Sequence, residues 1–292
     1  MTERTRIEWA DATVNFWHGC TPVSPGCRHC YAAELDRRFH AEAPHWGLTA
    51  SRWVRLPAAA AEAVRLDRRA ERSGQRLRVF ANSMGDFWED RPELEAPRLM
   101  AFEVIRQTPH LDWLLLTKRP ERVPALLGRA SEEAWGQALL DPAREDLADW
   151  LGDWTLGYAP GHVWLGASVE DQATADRRLP DLLGLPAAVR FVSCEPLLGP
   201  VDLRLGDCWL GFTPNGDRLH WVIAGGESGP GARPVHPAWV RSLRDQCQAA
   251  GLPFLFKSWG RSDGHGALRP RSGSAGRLLD GELHDNYPEV RP

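Results

Sequence analysis

Seven short apolar runs punctuate the chain, and each gives way to small, polar or charged residues. Residues 14–17 lead into His18-Gly19-Cys20, 77–81 into Asn82-Ser83-Met84-Gly85-Asp86, and 113–116 into Thr117-Lys118-Arg119-Pro120. Residues 163–167 lead into Ser168-Val169-Glu170-Asp171, and 189–192 into Ser193-Cys194-Glu195-Pro196. Residues 221–224 precede Gly225-Gly226-Glu227-Ser228, and 253–256 precede Lys257-Ser258-Trp259-Gly260. The runs are rich in Val, Leu, Ile, Phe and Trp and do not alternate with polar positions. That pattern belongs to strands buried on both faces, as in a parallel sheet.

Helical stretches separate most of the runs: 31–41, 57–72, 92–107, 171–183 and 237–250. Pro92 suits a first helical turn, and Gly251 suits the left-handed residue that closes a helix. Strand and helix alternating about seven times predict a parallel α/β architecture. Polar residues recur after the strands, so the C-terminal strand ends form the expected site face. A parallel (β/α) barrel, full or partial, fits better than a doubly wound sheet. Residues 1–260 read as one domain with an insertion at about 130–162, carrying its own short helix near 142–151. Residues 203–220 read as a loop or small hairpin, and 261–292 as a loosely ordered tail.

Composition narrows this picture a little. The chain has 292 residues, 43% hydrophobic and 25% charged, which is ordinary for a globular protein. A formal net charge of −4 gives no strong capture of nucleic acid, although a local basic groove is compatible with it. No apolar stretch is long enough for a membrane span, and the first residues lack a secretory apolar segment. The sequence therefore reads as cytoplasmic and not attached to a membrane, where cysteines are free, catalytic or metal-bound rather than disulfide-bonded. Fourteen tryptophans predict a large aromatic core.

Three of the six cysteines crowd into one loop, Cys20-Thr-Pro-Val-Ser-Pro-Gly-Cys27-Arg-His-Cys30. Thiolates are soft ligands that suit iron–sulfur clusters and zinc. Cys27-x-x-Cys30 puts two sulfurs on one turn, while Pro22, Pro25 and Gly26 bend the loop that brings the third. Three ligands on a four-iron cluster leave one iron open to an external ligand. A zinc site completed by His18 or His29 is the alternative. Structural zinc commonly takes ligands from two knuckles, and there is no second Cys-x-x-Cys or His-x-x-x-His here.

The cysteine loop after a first strand, ending Cys27-Arg28-His29-Cys30-Tyr31, resembles the radical S-adenosylmethionine (SAM) superfamily. More closely, residues 5–260 resemble a phage-associated three-cysteine-motif family of radical-SAM-like proteins, with a distant likeness to spore photoproduct lyase. The matching stretches are 7–13, the cysteine loop, 82–86, 115–122, 165–171, 193–199, 225–230 and 256–260. The six-residue gap between Cys20 and Cys27 departs from the superfamily's usual three. The resemblance implies a barrel of radical SAM type, with Cys20, Cys27 and Cys30 holding a 4Fe-4S cluster. It also implies SAM chelated at the open iron, a flavodoxin- or ferredoxin-like electron donor, and reductive cleavage of SAM to a 5′-deoxyadenosyl radical. Its substrate would be a nucleic acid or nucleotide-like molecule, with a small molecule as the alternative.

The strand ends supply the other candidates. Asn82, Ser83 and Asp86 stand where radical SAM barrels usually meet the SAM amino group, although a helix start at Pro92 would also use them. Ser168 and Glu170 stand where ribose and carboxylate are commonly met; Ser168-x-x-Asp171 also has the form of a capping box. Gly225 and Gly226 allow close backbone approach to adenine or ribose, with Glu227 positioned for a hydroxyl or ammonium. Lys118 and Arg119 suit a carboxylate or phosphate, and Lys257 carries the same argument. Cys194, beside Glu195, reads either as a hydrogen-atom donor to a substrate radical or as a small buried hydrophobe. Cys208 and Cys247 read as structural.

Overall fold

The computed structural model describes residues 5, 7–205, 218–268 and 276–289. Cys208 and most of the expected loop at 203–220 lie outside the described residues. Strand β1 (Ala12–Val14) is followed by β2 (Trp17–His18), which pairs antiparallel with β3 (Trp53–Val54) in a separate ribbon. The remaining strands of the main sheet are β4 (Leu77–Ala81), β5 (Leu111–Thr117), β6 (Val163–Ser168), β7 (Val189–Cys194), β8 (Trp221–Gly225) and β9 (Phe254–Ser258). They join β1 in a seven-stranded sheet ordered β1-β4-β5-β6-β7-β8-β9. The pairings are parallel, with Ala12 opposite Val79 and Phe191 opposite Trp221. Strand order thus follows chain order, as in an α/β parallel barrel. The strands are almost wholly buried, which is why their sequences show no alternation.

One expected strand changes. The run 14–17 does not continue in the sheet, because Phe16 N–H donates to the Asn82 side-chain oxygen at 2.8 Å and Phe16 O accepts from Arg55 N–H at 2.7 Å. Asn82 adopts φ +58°, a left-handed conformation that Asn tolerates better than most residues. These two contacts end β1 at Val14 and turn Trp17 into the small ribbon.

Helices α1 (Tyr31–Phe39), α2 (Leu56–Ser73), α3 (Glu95–Arg106), α4 (Val123–Ala138), α5 (Glu145–Thr155), α6 (Gln172–Leu183) and α7 (Pro237–Ala250) fill the connections. Pro92 opens a short 3-10 turn, Pro92–Leu94, ahead of α3. Gly251 closes α7 at φ +65°, its N–H donating to Cys247 O and Gln248 O in the last turn. The cap of α6 is Asp171 rather than Ser168. Asp171 Oδ1 accepts from Thr174 N–H at 2.9 Å, and Thr174 Oγ1 accepts from Asp171 N–H at 3.0 Å. No described helix is long and apolar enough to cross a membrane.

The chain divides into two compact units. The first comprises Met1–Thr21, Leu35–Leu165 and Leu185–Ala188. Its core includes a run of aromatic contacts, with Phe102, Trp150 and Trp154 meeting at centroid separations of 5.5–6.3 Å. The region read as an insertion contains the end of α4 and all of α5. Leu147, Ala148, Leu151 and Trp154 give α5 the buried i, i+4, i+7 stripe of an amphipathic helix. The second unit comprises Pro22–Glu34, Gly166–Gly184 and Val189–Pro292. Part of the segment read as a loose tail is built into it. Strands β10 (Leu278–Leu279) and β11 (Glu282–Leu283) form a hairpin. Phe256 N–H donates to His284 O, and Asn286 N–H to Phe254 O, along the β9 edge. Leu279 is fully buried, so the hairpin contributes apolar surface as well as backbone bonds.

Candidate functional site

In the first unit the strand ends converge on Cys20. Asp86, after β4, accepts four hydrogen bonds: from Thr117 Oγ1 (2.7 Å), Trp88 N–H (3.0 Å), Lys118 N–H (3.1 Å) and Arg119 Nη1 (2.8 Å). A carboxylate has about four lone-pair sites, so the protein itself fills this one. Asp86 is therefore a positioning residue that holds Arg119. Arg119 in turn donates through Nη1 to Cys20 Sγ at 3.7 Å and through Nη2 to Thr21 O at 2.5 Å. Burial opposes the charge on Arg119, but Asp86, Cys20 and Glu89 outweigh it and hold its pKa above the usual value. Burial pushes the Cys20 thiol up to about 12; the Asp86 carboxylate adds to this, and Arg119 opposes it.

A buried ion pair fixes the residue after Cys20. Arg52 Nε and Nη2 each donate to Glu89 at 2.8 Å, a two-point contact between side chains 0% and 4% exposed. Glu89 also accepts from Thr21 N–H at 2.9 Å, and Arg52 Nη2 donates to Thr21 Oγ1 at 2.8 Å. Burial would raise the Glu89 carboxyl, yet its bonds to Arg52 and Thr21 hold it below its ordinary value. Sequence reading missed this pair. Its one local signal is a lone Glu after Phe87-Trp88, where two large aromatics predict burial.

Asn82 and Ser83 are occupied by structure. Asn82 receives Phe16 N–H, while Ser83 Oγ and Met84 N–H both bond to Asn15. Lys118 is half-buried, and its backbone N–H is one of the donors to Asp86.

The second unit holds Cys27, Cys30 and five candidate carboxylate or glycine positions, Glu170, Glu195, Gly225, Gly226 and Glu227. Pro25–Cys27 forms a 3-10 turn, with Cys27 N–H donating to Ser24 O at 2.9 Å. Cys27 Sγ accepts from Val23 N–H at 3.5 Å and lies 3.7 Å from Ser24 Oγ. Cys30 precedes α1, and its carbonyl accepts Glu34 N–H, so the thiol sits at a helix N-terminus that favours negative charge. Glu170, fully buried after β6, anchors this loop. It accepts from Ser24 Oγ at 2.7 Å and from Arg178 Nη1 at 2.8 Å. A Cβ added to Gly26 would lie 2.5 Å from Glu170 Oε1, so only glycine lets the loop lie against that carboxylate. Ser168, 5% exposed, gives its carbonyl to the same arginine at 2.8 Å.

Glu227 is clamped by Arg233, whose N–H, Nε and Nη2 donate to it at 2.8, 2.9 and 2.5 Å. Burial opposes ionisation, but these bonds keep the Glu227 carboxyl below its ordinary value. The clamp closes the loop 227–233, in which Gly231 at φ +73° passes beside His29. Gly226 has a structural reason of its own: a Cβ there would meet Trp259 O at 2.3 Å, so two backbones touch. Cys194 lies in the hydrophobic core with Cys247, both fully buried. Burial drives the Cys194 thiol far above its normal value, with Cys247 and the Glu195 carboxylate adding to the shift. Burial alone raises Cys247 to about 12. Side chains alternate along a strand, so Cys194 points away from the face shared by Ser193 and Glu195, which meet at 3.2 Å.

None of Cys20, Cys27, Cys30, Cys194 and Cys247 is in a disulfide. Among the described residues, no three His, Cys, Asp or Glu side chains form a group that could hold a metal ion. No curated protein and no solved structure matches the chain. The family described as "Protein of unknown function (DUF5131)" matches residues 4–288. That match spans nearly the whole sequence, so the chain belongs to the DUF5131 family.

Proposed function

We propose that this chain is a radical SAM enzyme acting on a nucleic acid or nucleotide-like substrate, with Cys20, Cys27 and Cys30 as the ligands of a 4Fe-4S cluster. The observation that carries the reading is the surroundings of the three sulfurs. Cys20 Sγ meets a guanidinium, Cys27 Sγ meets a backbone N–H and a hydroxyl, and Cys30 stands at a helix start. At Cys20 the Arg119 guanidinium opposes the burial that raises the thiol without cancelling it, and N–H and cationic contacts of this kind would tune the potential of a cluster bound to the sulfurs. The donor set, three soft sulfurs on one eleven-residue stretch, suits iron–sulfur chemistry.

When bound, the cluster and SAM supply an electron and a 5′-deoxyadenosyl radical; the protein contributes binding, orientation and exclusion of water. Arg119 neutralises charge at Cys20 and is itself oriented by Asp86. Glu170 and Gly26 set the path of the loop through Cys27. Arg52 and Glu89 hold Thr21 rigid. A flavodoxin- or ferredoxin-like protein would deliver the electron. The substrate half of the reading rests on the likeness to phage-associated proteins and a nucleic-acid repair enzyme.

Anaerobic reconstitution with iron and sulfide tests the ligand set. The expected product carries about four irons per chain with broad visible absorption, both lost when the three cysteines are replaced by alanine. Tight binding of one zinc, with no sulfide retained, would make the site structural and overturn the reading.

A further inference from the structure

Lys257 is the extra residue of a β-bulge. Ala224 stands opposite Phe256 and Gly225 opposite Ser258, so β9 carries one residue more than β8 at this point. A bulge re-aims the side chain it carries, and Lys257 turns toward the end of β7. There its Nζ meets Glu195 Oε1 at 3.0 Å. Lys257 lies in β9 and Glu195 directly follows β7, and β8 runs between those strands, so their contact has to cross it. Gly225 provides the crossing: a Cβ at this position would lie 2.6 Å from Glu195 Oε1. Ser193 Oγ steadies the other carboxylate oxygen at 3.2 Å. Three irregular choices, a bulge, a glycine and a strand-end carboxylate, thus build one ion pair.

This pair differs from the Glu170–Arg178 pair after β6. Glu170 is sealed with Arg178, both at most 1% exposed, whereas the Lys257 and Glu195 side chains are 29% and 12% exposed. Glu195 Oε1, which meets Lys257, is buried, so the acceptor offered beside the partly exposed ammonium is Oε2, which Ser193 Oγ also meets. The pair is neutral overall, so it offers little to a phosphate. It suits a neutral planar group whose acceptor and N–H stand side by side, which is the hydrogen-bonding edge of a nucleobase.

We propose that Lys257 and Glu195 form a recognition pair for a nucleobase edge. Lys257 donates to a ring carbonyl or ring nitrogen, and Glu195 accepts from the adjacent N–H. The inference rests on the nucleotide half of the function proposed above and names the protein groups that would read the base.

The test is calorimetric titration of the full reconstituted chain with the 5′-monophosphates of adenosine, cytidine, guanosine and uridine, and with ribose 5-phosphate. At least one nucleotide is expected to bind roughly 5- to 150-fold more tightly than ribose 5-phosphate, the discrimination typical of a two-point base contact. Lys257→Ala and Glu195→Gln should each reduce that nucleotide to the level of ribose 5-phosphate. Gly225→Ala should do the same without removing either charge. If Lys257→Ala lowers the melting temperature, the isosteric Glu195→Gln variant decides the matter. Equal binding of all nucleotides and ribose 5-phosphate, or base-dependent binding unchanged in Glu195→Gln, would overturn the inference. Iron content measured on the same preparation separates the two claims. Base-indifferent binding by protein with a full cluster sinks only this one, while failure to hold iron sinks the radical SAM reading.

Discussion

Replacing Glu89 by alanine is expected to destabilise the protein by about 3–5 kcal/mol, the usual result of removing one partner from a buried ion pair. The cost comes from what stays behind. Arg52 would keep its charge at a site where its side chain is 0% exposed, and Thr21 N–H would lose its acceptor. Chemical denaturation followed by circular dichroism measures the effect as a fall in the midpoint of the first transition. The pH dependence has a definite sign. The Glu89 carboxyl titrates below its ordinary value in the folded protein, so its stabilisation is complete above the unfolded-state pKa. That stabilisation disappears as pH falls through the depressed folded value. Glu89→Gln should therefore flatten the acid limb of the stability profile, and an unchanged limb would show that other carboxylates dominate it.

Gly26→Ala is the second substitution with a large expected effect. The new methyl would collide with the Glu170 carboxylate at 2.5 Å, and Glu170 cannot retreat because Arg178 holds it from behind at 2.8 Å. The loop must shift instead, carrying Cys27 with it. Changes to the groups that orient metal ligands typically cost about 10–100-fold in metal affinity, and a loss of iron affinity in that range is expected here. The readout is iron retained after gel filtration against a chelator. Glu170→Ala tests the same contact from the other side, by removing the acceptor of Ser24 Oγ. If Gly26→Ala retains iron as the parent does, the loop is not set by this contact.

Much of the fold was legible because burial on both faces leaves a direct trace in sequence. The run 77–81 coincides with β4, and 237–250 with α7, including the glycine that ends it. What failed was decided by partners distant in the chain. Residues 14–17 have the composition of one strand, yet the Asn82 side chain, 66 residues on, captures Phe16 N–H and ends the pairing. The tail composition of glycine, serine and arginine gave no sign that the β9 edge would recruit 284 and 286.

The candidate site divides in the same way. The crowding of Cys20, Cys27 and Cys30 is visible in sequence because the spacing of the proposed ligands is local. The roles of the carboxylates are not. Asp86 has the composition of a ligand contact, but its four donors come from Trp88 and from residues 117–119. Glu170 and Glu227 likewise turn inward to Arg178 and Arg233. Glu195 has its partner in Lys257, and the bulge in β9, invisible in sequence, brings that lysine to it.

The most direct test of the central claim is reductive cleavage of SAM. Anaerobically reconstituted protein is incubated with SAM and dithionite, and 5′-deoxyadenosine and methionine are quantified by mass spectrometry. The account predicts both products in equal amounts, with neither formed when Cys20, Cys27 and Cys30 are replaced by alanine. Protein that carries a complete cluster yet forms no 5′-deoxyadenosine would contradict it.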